Sequence, residues 1–274
     1  MRHLNRFVKR LRFVLAVISG RLDRKFALLL FRNFGFTRTA YPISLFVTAQ
    51  CSIGCKECIM RHLMRDRDGY QMSLEEIRRF IDVSEKSRFR FDIVLTGGEP
   101  LEWIHFKEGV RLLCGSKICQ SLVIFSNARK NLHYLDKTVM DLVTGVRLSK
   151  YAYNEKEIIT LKEQYPEKIW IVSRENFWVN PKEPVPDSLP AKCLNPEALL
   201  LSDCVYACPH SASIAVFNGS GVRLANPLAP GFLKGLASIK KEQQSEICAF
   251  CISNQKVRRK VLKIKNISQK LEAP

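Results

Sequence analysis

The chain alternates between two hydrophobic periods. Ile43–Gln50 is β-rich, Phe91–Thr96 is an apolar run, and Ser121–Phe125, Val146–Ser149 and Ile169–Val172 repeat the pattern. Between these runs the period changes. Ser73–Ser87 opens with a serine and has Glu76 three residues later, as a capping box requires, and helical stretches are predicted near 131–142 and 154–164. Strands alternating with helices predict a parallel sheet, and such a sheet places chemistry at the carboxyl ends of its strands. Cys51, Gly97–Glu99, Asn127 and Ser149 all fall at predicted strand ends, which points to a single site.

Two regions depart from this rhythm. At the start, Leu4, Val8, Leu11, Leu15 and Ile18 recur at helical spacing, with Arg6, Lys9 and Arg10 largely off that stripe. The apolar run Phe13–Ile18 is too short to span a bilayer. It suits a basic helix lying on a membrane surface or one packed on the main domain, better than a signal-peptide core. Past residue 180, Pro181, Pro184, Pro186 and Pro190 make a linker. Ala198–Ser202, Val205–Cys208 and Ser213–Asn218 then read as short strands of a hairpin module, and 256–271 as a second basic helical segment. The expected division is 1–40 basic helix, 41–180 main domain, 181–254 cysteine-bearing module and 255–274 basic tail.

Charge and cysteine content narrow the picture. The 274 residues carry 44 Lys and Arg against 26 Asp and Glu, a net charge of +18. The first forty residues hold ten of these cations against Asp23 alone, and residues 255–274 hold seven against Glu272. Such a surface favours an anionic partner. The ten cysteines fall in groups, 51/55/58, 114/119, 193/204/208 and 248/251. Cysteines two or three residues apart suit metal thiolates better than a disulfide framework, and imply a reducing, cytoplasmic compartment. Cys114 and Cys119 have no neighbouring partners and read as packing residues.

Cys51, Cys55 and Cys58 give the spacing CxxxCxxC on a loop after the first strand. Three thiolates so placed suit a cubane cluster with one iron left open. Zinc would need a fourth ligand such as His62. With Gly97-Gly98-Glu99-Pro100 one helix and one strand later, the chain resembles the radical S-adenosylmethionine (SAM) superfamily over roughly residues 43–252. The resemblance implies a partial (β/α)6 barrel with a small C-terminal hairpin module and basic terminal helices. It implies a [4Fe-4S] cluster on the three cysteines, completed by SAM, whose reductive cleavage yields a 5′-deoxyadenosyl radical. It assigns SAM contacts to Gly97, Gly98, Glu99, Asn127 and Ser149. Glu57 departs from the family, which usually has an aromatic residue there.

The later cysteines resemble the shortened auxiliary-cluster ("twitch") domain of such enzymes, implying a second [4Fe-4S] cluster on Cys193, Cys208, Cys248 and Cys251. Asp203 stands where that domain has a turn glycine, and structural zinc on the same four residues is the alternative. Cys204 is left over, as a hydrogen-atom donor to a substrate radical or as a small buried side chain. His210 reads as a turn cap.

Three functions are in view. The first is an oxidoreductase or epimerase abstracting hydrogen from a small polar substrate, such as a sugar or a nucleotide- or lipid-linked sugar. The second is a peptide-modifying maturase. The third is a non-catalytic zinc- or iron-binding module for nucleic acid or membrane. The first expects a flavodoxin-type reductase as electron donor, peripheral contact with the inner membrane surface through the N-terminal helix, and no nucleic acid.

Overall fold

The computed structural model describes residues 40–55, 58, 60–173, 197–209, 211–213, 225–233, 235, 236 and 239. Within them, strands β1 (Tyr41–Thr48), β2 (Phe91–Gly97), β3 (Cys119–Ser126), β4 (Gly145–Lys150) and β5 (Ile169–Ser173) alternate with helices. The helices are α1 (Arg61–Asp66), α2 (Leu74–Lys86), α3 (Phe106–Gly115), α4 (Lys137–Leu142) and α5 (Glu155–Gln164). Three short strands follow: β6 (Ala198–Leu201), β7 (Cys204–Tyr206) and β8 (Ala225–Pro227). The N-terminal basic segment and the tail lie outside the described residues, as does the proline linker. No described helix is long and apolar enough to cross a membrane.

All eight strands form one open sheet in the order β5-β4-β3-β2-β1-β6-β7-β8. The pairs from β5 through β1 to β6 are parallel, and β6-β7 and β7-β8 are antiparallel. The strands expected of a separate hairpin module thus extend the main sheet past β1. Two details differ from the sequence expectation. Ser213 is helical, and the third short strand is Ala225–Pro227. The left-handed residue of the β6–β7 turn is Ser202 (φ 54°), not Asp203. Asp203 instead offers its carbonyl to the Leu228 amide at 2.6 Å, which draws the chain after β8 against the turn.

The larger core cluster lies on one face of the sheet. Ile43, Leu45, Phe91, Ile93 and Leu95 point there and meet Ile77 and Phe80 of α2 and Val110 and Leu113 of α3. Phe232, after β8, stacks on Phe91 with centroids 6.2 Å apart, so the C-terminal segment shares this core. Helix α2 begins as its sequence dictates. Ser73 Oγ accepts from the Glu76 amide and the Glu76 carboxylate accepts from the Ser73 amide, both halves of a capping box. The predicted helix at 131–142 is shorter, because Asp136 caps α4 and a 3-10 turn, Leu132–Tyr134, precedes it.

Candidate active site

The carboxyl end of β1 runs straight into the cysteine loop, and β2 grips it. Parallel pairing continues past the strand ends: the Gly98 amide donates to Thr48 O and the Glu99 amide to Gln50 O, each at 2.7 Å. Both glycines are required by backbone proximity. A Cβ on Gly98 would lie 2.6 Å from the Gln50 carbonyl carbon and closer still to its oxygen. Gly97 has φ 137° and presses on Thr48. Glu102 adds a third tie, accepting from the Ser52 amide at 3.0 Å. Beyond the loop, Cys58 N bonds Cys55 O at 3.3 Å and Arg61 N bonds Cys58 O at 3.1 Å. Helix α1 follows, and packs Leu63 with Met60 on Phe46, Leu199 and Leu201.

Cys51 is held by several donors. Burial pushes its thiol up, while the backbone amides of Ile53 and Gly54 favour the thiolate. Asn127 Nδ2 also donates to Cys51 Sγ at 3.6 Å. Amides converging on sulfur from a loop with a left-handed glycine (Gly54, φ 60°) suit a cluster ligand. A cubane asks each thiolate to reach a different iron, so its sulfurs need not converge on one point. Among the described residues no three donors do so. By donor type, spacing and amide cradle, Cys51, Cys55 and Cys58 fit such a cluster.

Asn127 is held by nearly every polar atom it has. Its amide donates to Glu99 Oε2 at 2.7 Å and its Oδ1 accepts from the Arg129 amide at 2.9 Å. Its carbonyl accepts from Asn154 Nδ2 at 2.7 Å and from the Tyr153 hydroxyl at 3.2 Å. Ala128 beside it takes a left-handed φ of 53°, a backbone strain of the kind found where a side chain must be aimed. Asn154 also donates to Ser149 O at 3.0 Å, so one buried side chain ties the ends of β3 and β4. Sequence reasoning does not single out Asn154. Its only sequence signal, an Asn just before a helix, suggests a cap, yet its side chain makes no cap bond. Removing the Asn127 donor (Asn127→Ala) is expected to shift the cluster potential negative, since hydrogen bonds to cluster sulfur stabilise the reduced state. Potentiometry followed by electron paramagnetic resonance checks this.

Glu99 is 1 % exposed and both its oxygens serve backbone amides, Oε1 taking Leu101 at 3.0 Å. Burial raises its acid from 4.5 to about 7, against the amides of Asn127 and Leu101 and the Ser126 hydroxyl, which pull it down. The folded state therefore keeps a proton that the unfolded chain gives up near 4.5. Stability from this group is complete below that value and is lost as pH rises through about 7. The loss is on the order of 3 kcal/mol. Glu99→Gln should flatten this part of the profile in urea unfolding from about pH 5 to about pH 8. An unchanged slope would assign the ionisation elsewhere.

Of the auxiliary set, Cys208 is described, and Cys193, Cys248 and Cys251 lie outside the described residues, as do His210 and the side chain of His62. Cys208 Sγ accepts from the Ser211 amide at 3.3 Å. Cys204 begins β7 with its thiol on Asp203 Oδ1 at 3.6 Å. Burial and that carboxylate both push it up, which keeps it protonated. Cys114 and Cys119 correct the expectation that they lack partners. The turn between α3 and β3 brings their thiols into a hydrogen bond with each other, at the amino end of β3, away from the site.

Residues 37–146 match the family model described as a 4Fe-4S single cluster domain, a segment that holds the cysteine triplet, Gly97–Glu99 and Asn127. No curated protein matches the chain. Two solved structures share its fold at 15% identity. One is BtrN in an open conformation, with a TM-score of 0.52 over 79% of this chain and 94% of that one. The other is BtrN in complex with AdoMet and 2-DOIA, with a TM-score of 0.58 over 77% and 92%. At this identity the likeness speaks for the fold alone. The CxxxCxxC loop gripped by Gly97–Glu99 lies inside the segment that is similar to a 4Fe-4S single cluster domain.

Proposed function

We propose that this protein uses its cluster and SAM to abstract hydrogen from a small polar substrate of carbohydrate type, as an oxidoreductase or epimerase. The observation that carries the reading is the gathering of Cys51, Glu99, Asn127 and, through Asn154, Ser149 at the carboxyl ends of four adjacent parallel strands. Bound there, a cluster would supply the electron for SAM cleavage. Cys51, Cys55 and Cys58 would hold the cluster. The Gly97–Glu99 backbone, Asn127 and Ser149 would hold SAM, with the Glu99 carboxylate positioning Asn127 through its amide. Cys204, kept as a thiol, is the proposed hydrogen donor. Cys193, Cys208, Cys248 and Cys251 are proposed for a second cluster, and a flavodoxin-type reductase for the electron. That the BtrN complex holds 2-DOIA with AdoMet supports a small-molecule substrate here over a peptide.

Anaerobic reconstitution with iron and sulfide, an iron count and an assay for 5′-deoxyadenosine under dithionite test this. About eight irons per chain with deoxyadenosine formed is the expected result. About four irons with one zinc would reduce the second cysteine set to a structural role. A colourless zinc protein making no deoxyadenosine would overturn the enzyme reading.

A further inference from the structure

The sheet face turned away from the core is only partly covered. Val94, Thr96, Val123, Phe125, Arg147 and Ser149 stand half-buried on it. Strands of parallel sheets are ordinarily buried on both faces, so a half-open face at the site's own strands leaves room for a ligand. Arg147 is the unexpected residue there. Its guanidinium lies over the Phe125 ring at 4.9 Å, and among the described residues it forms no ion pair. Glu197, just before β6, is half-buried, accepts from the Ser44 hydroxyl of β1 and feels the charge of Arg147. Through the register of β6, β1, β2, β3 and β4, Glu197 stands about four residues nearer the amino edge of the sheet than Arg147.

Among the described residues this half-buried guanidinium has only a ring against it, and a charge so placed is poorly compensated by the protein. Its planar fork of donors matches an oxyanion. Ser149 lies two residues further along the same strand, about 6.6 Å nearer the cysteine edge. An oxyanion on Arg147 would thus leave the rest of a small molecule pointing at the site. We propose that Arg147 forms a substrate subsite on the open face of the sheet. Arg147 takes a phosphate group, and the rest of the substrate extends along β4 toward Ser149. The proposal deepens the functional reading above and rests on it. The net charge of +18 would draw such a substrate in.

The test uses the reconstituted full chain with SAM bound. Uridine diphosphate is titrated calorimetrically, and vesicles of phosphatidylcholine with phosphatidic acid are assayed by flotation, so that soluble and lipid sources of phosphate are read separately. Arg147→Ala should weaken one of them by about tenfold or more. Lys156→Ala, an exposed cation on α5, should change neither. Arg147→Lys, which keeps the charge and loses the fork, should fall between. Iron retained by Arg147→Ala shows that it folded. Equal binding by wild type and Arg147→Ala in both arms overturns the subsite. These binding arms do not depend on SAM cleavage, so a wild type that makes no deoxyadenosine but binds phosphate through Arg147 would sink the enzyme reading alone.

Discussion

Cys51→Ala is expected to lose about four irons per chain and all 5′-deoxyadenosine formation. Cys51 is one of three thiolates in the proposed set. It follows the last residues of β1 directly and receives amides from Ile53 and Gly54 as well as Asn127 Nδ2. Alanine removes the ligand and strands those donors at a partly buried position, where an unpaired polar group costs about 1–3 kcal/mol. Cys114→Ala, in the last turn of α3 and away from the site, is the control and should keep its iron. Full iron with deoxyadenosine in Cys51→Ala would move the cluster off the triplet.

The second large effect belongs to a residue with no side chain. Gly98→Ala would drive a Cβ into the Gln50 carbonyl, 2.6 Å from its carbon, where both partners are backbone and neither can rotate away. Relief requires β2 and the start of the cysteine loop to part, breaking the bonds from Gly98 to Thr48 and from Glu99 to Gln50. Overpacking of this kind costs about 1–3 kcal/mol, and the loss of two backbone bonds adds to it. The variant should melt well below wild type and bind iron poorly after reconstitution. Gly115→Ala gives the opposite sign. It ends α3 with nothing within 4 Å of a new Cβ, so it should be neutral or stabilise by up to about 1 kcal/mol. A Gly98→Ala protein with native melting and iron content would show that the grip is dispensable.

The glycine grip explains why Gly97-Gly98-Glu99 stands out in the sequence, and why its meaning widens in the fold. Sequence reasoning assigns these glycines to close approach of a ligand. In the folded chain they also carry close approach of β2 to the cysteine loop. Glu99 shifts in the same way: its carboxylate is spent on the amides of Leu101 and Asn127. Spacing leaves Cys114 and Cys119 without partners because it says nothing about a turn that folds the end of a helix back onto the start of a strand.

By itself the sequence determined the five alternating strands, the capped helix after Ser73, the cysteine triplet and the strand ends on which the site would lie. Those features are local, set by hydrophobic period, a three-residue cap and ligand spacing, and each is written within a dozen or so neighbouring residues. The tertiary structure alone decided that β6 pairs with β1 at the other end of the sheet, so that β7 and β8 join the main sheet. It alone decided that Asn154 ties Asn127 to Ser149, and that Glu197, far along the chain, meets Ser44 of β1. Those choices depend on which strand edges and polar atoms meet across long loops. Loop-closure entropy grows so slowly with length that it barely ranks the alternatives, which leaves packing and hydrogen-bond satisfaction in the folded state to decide.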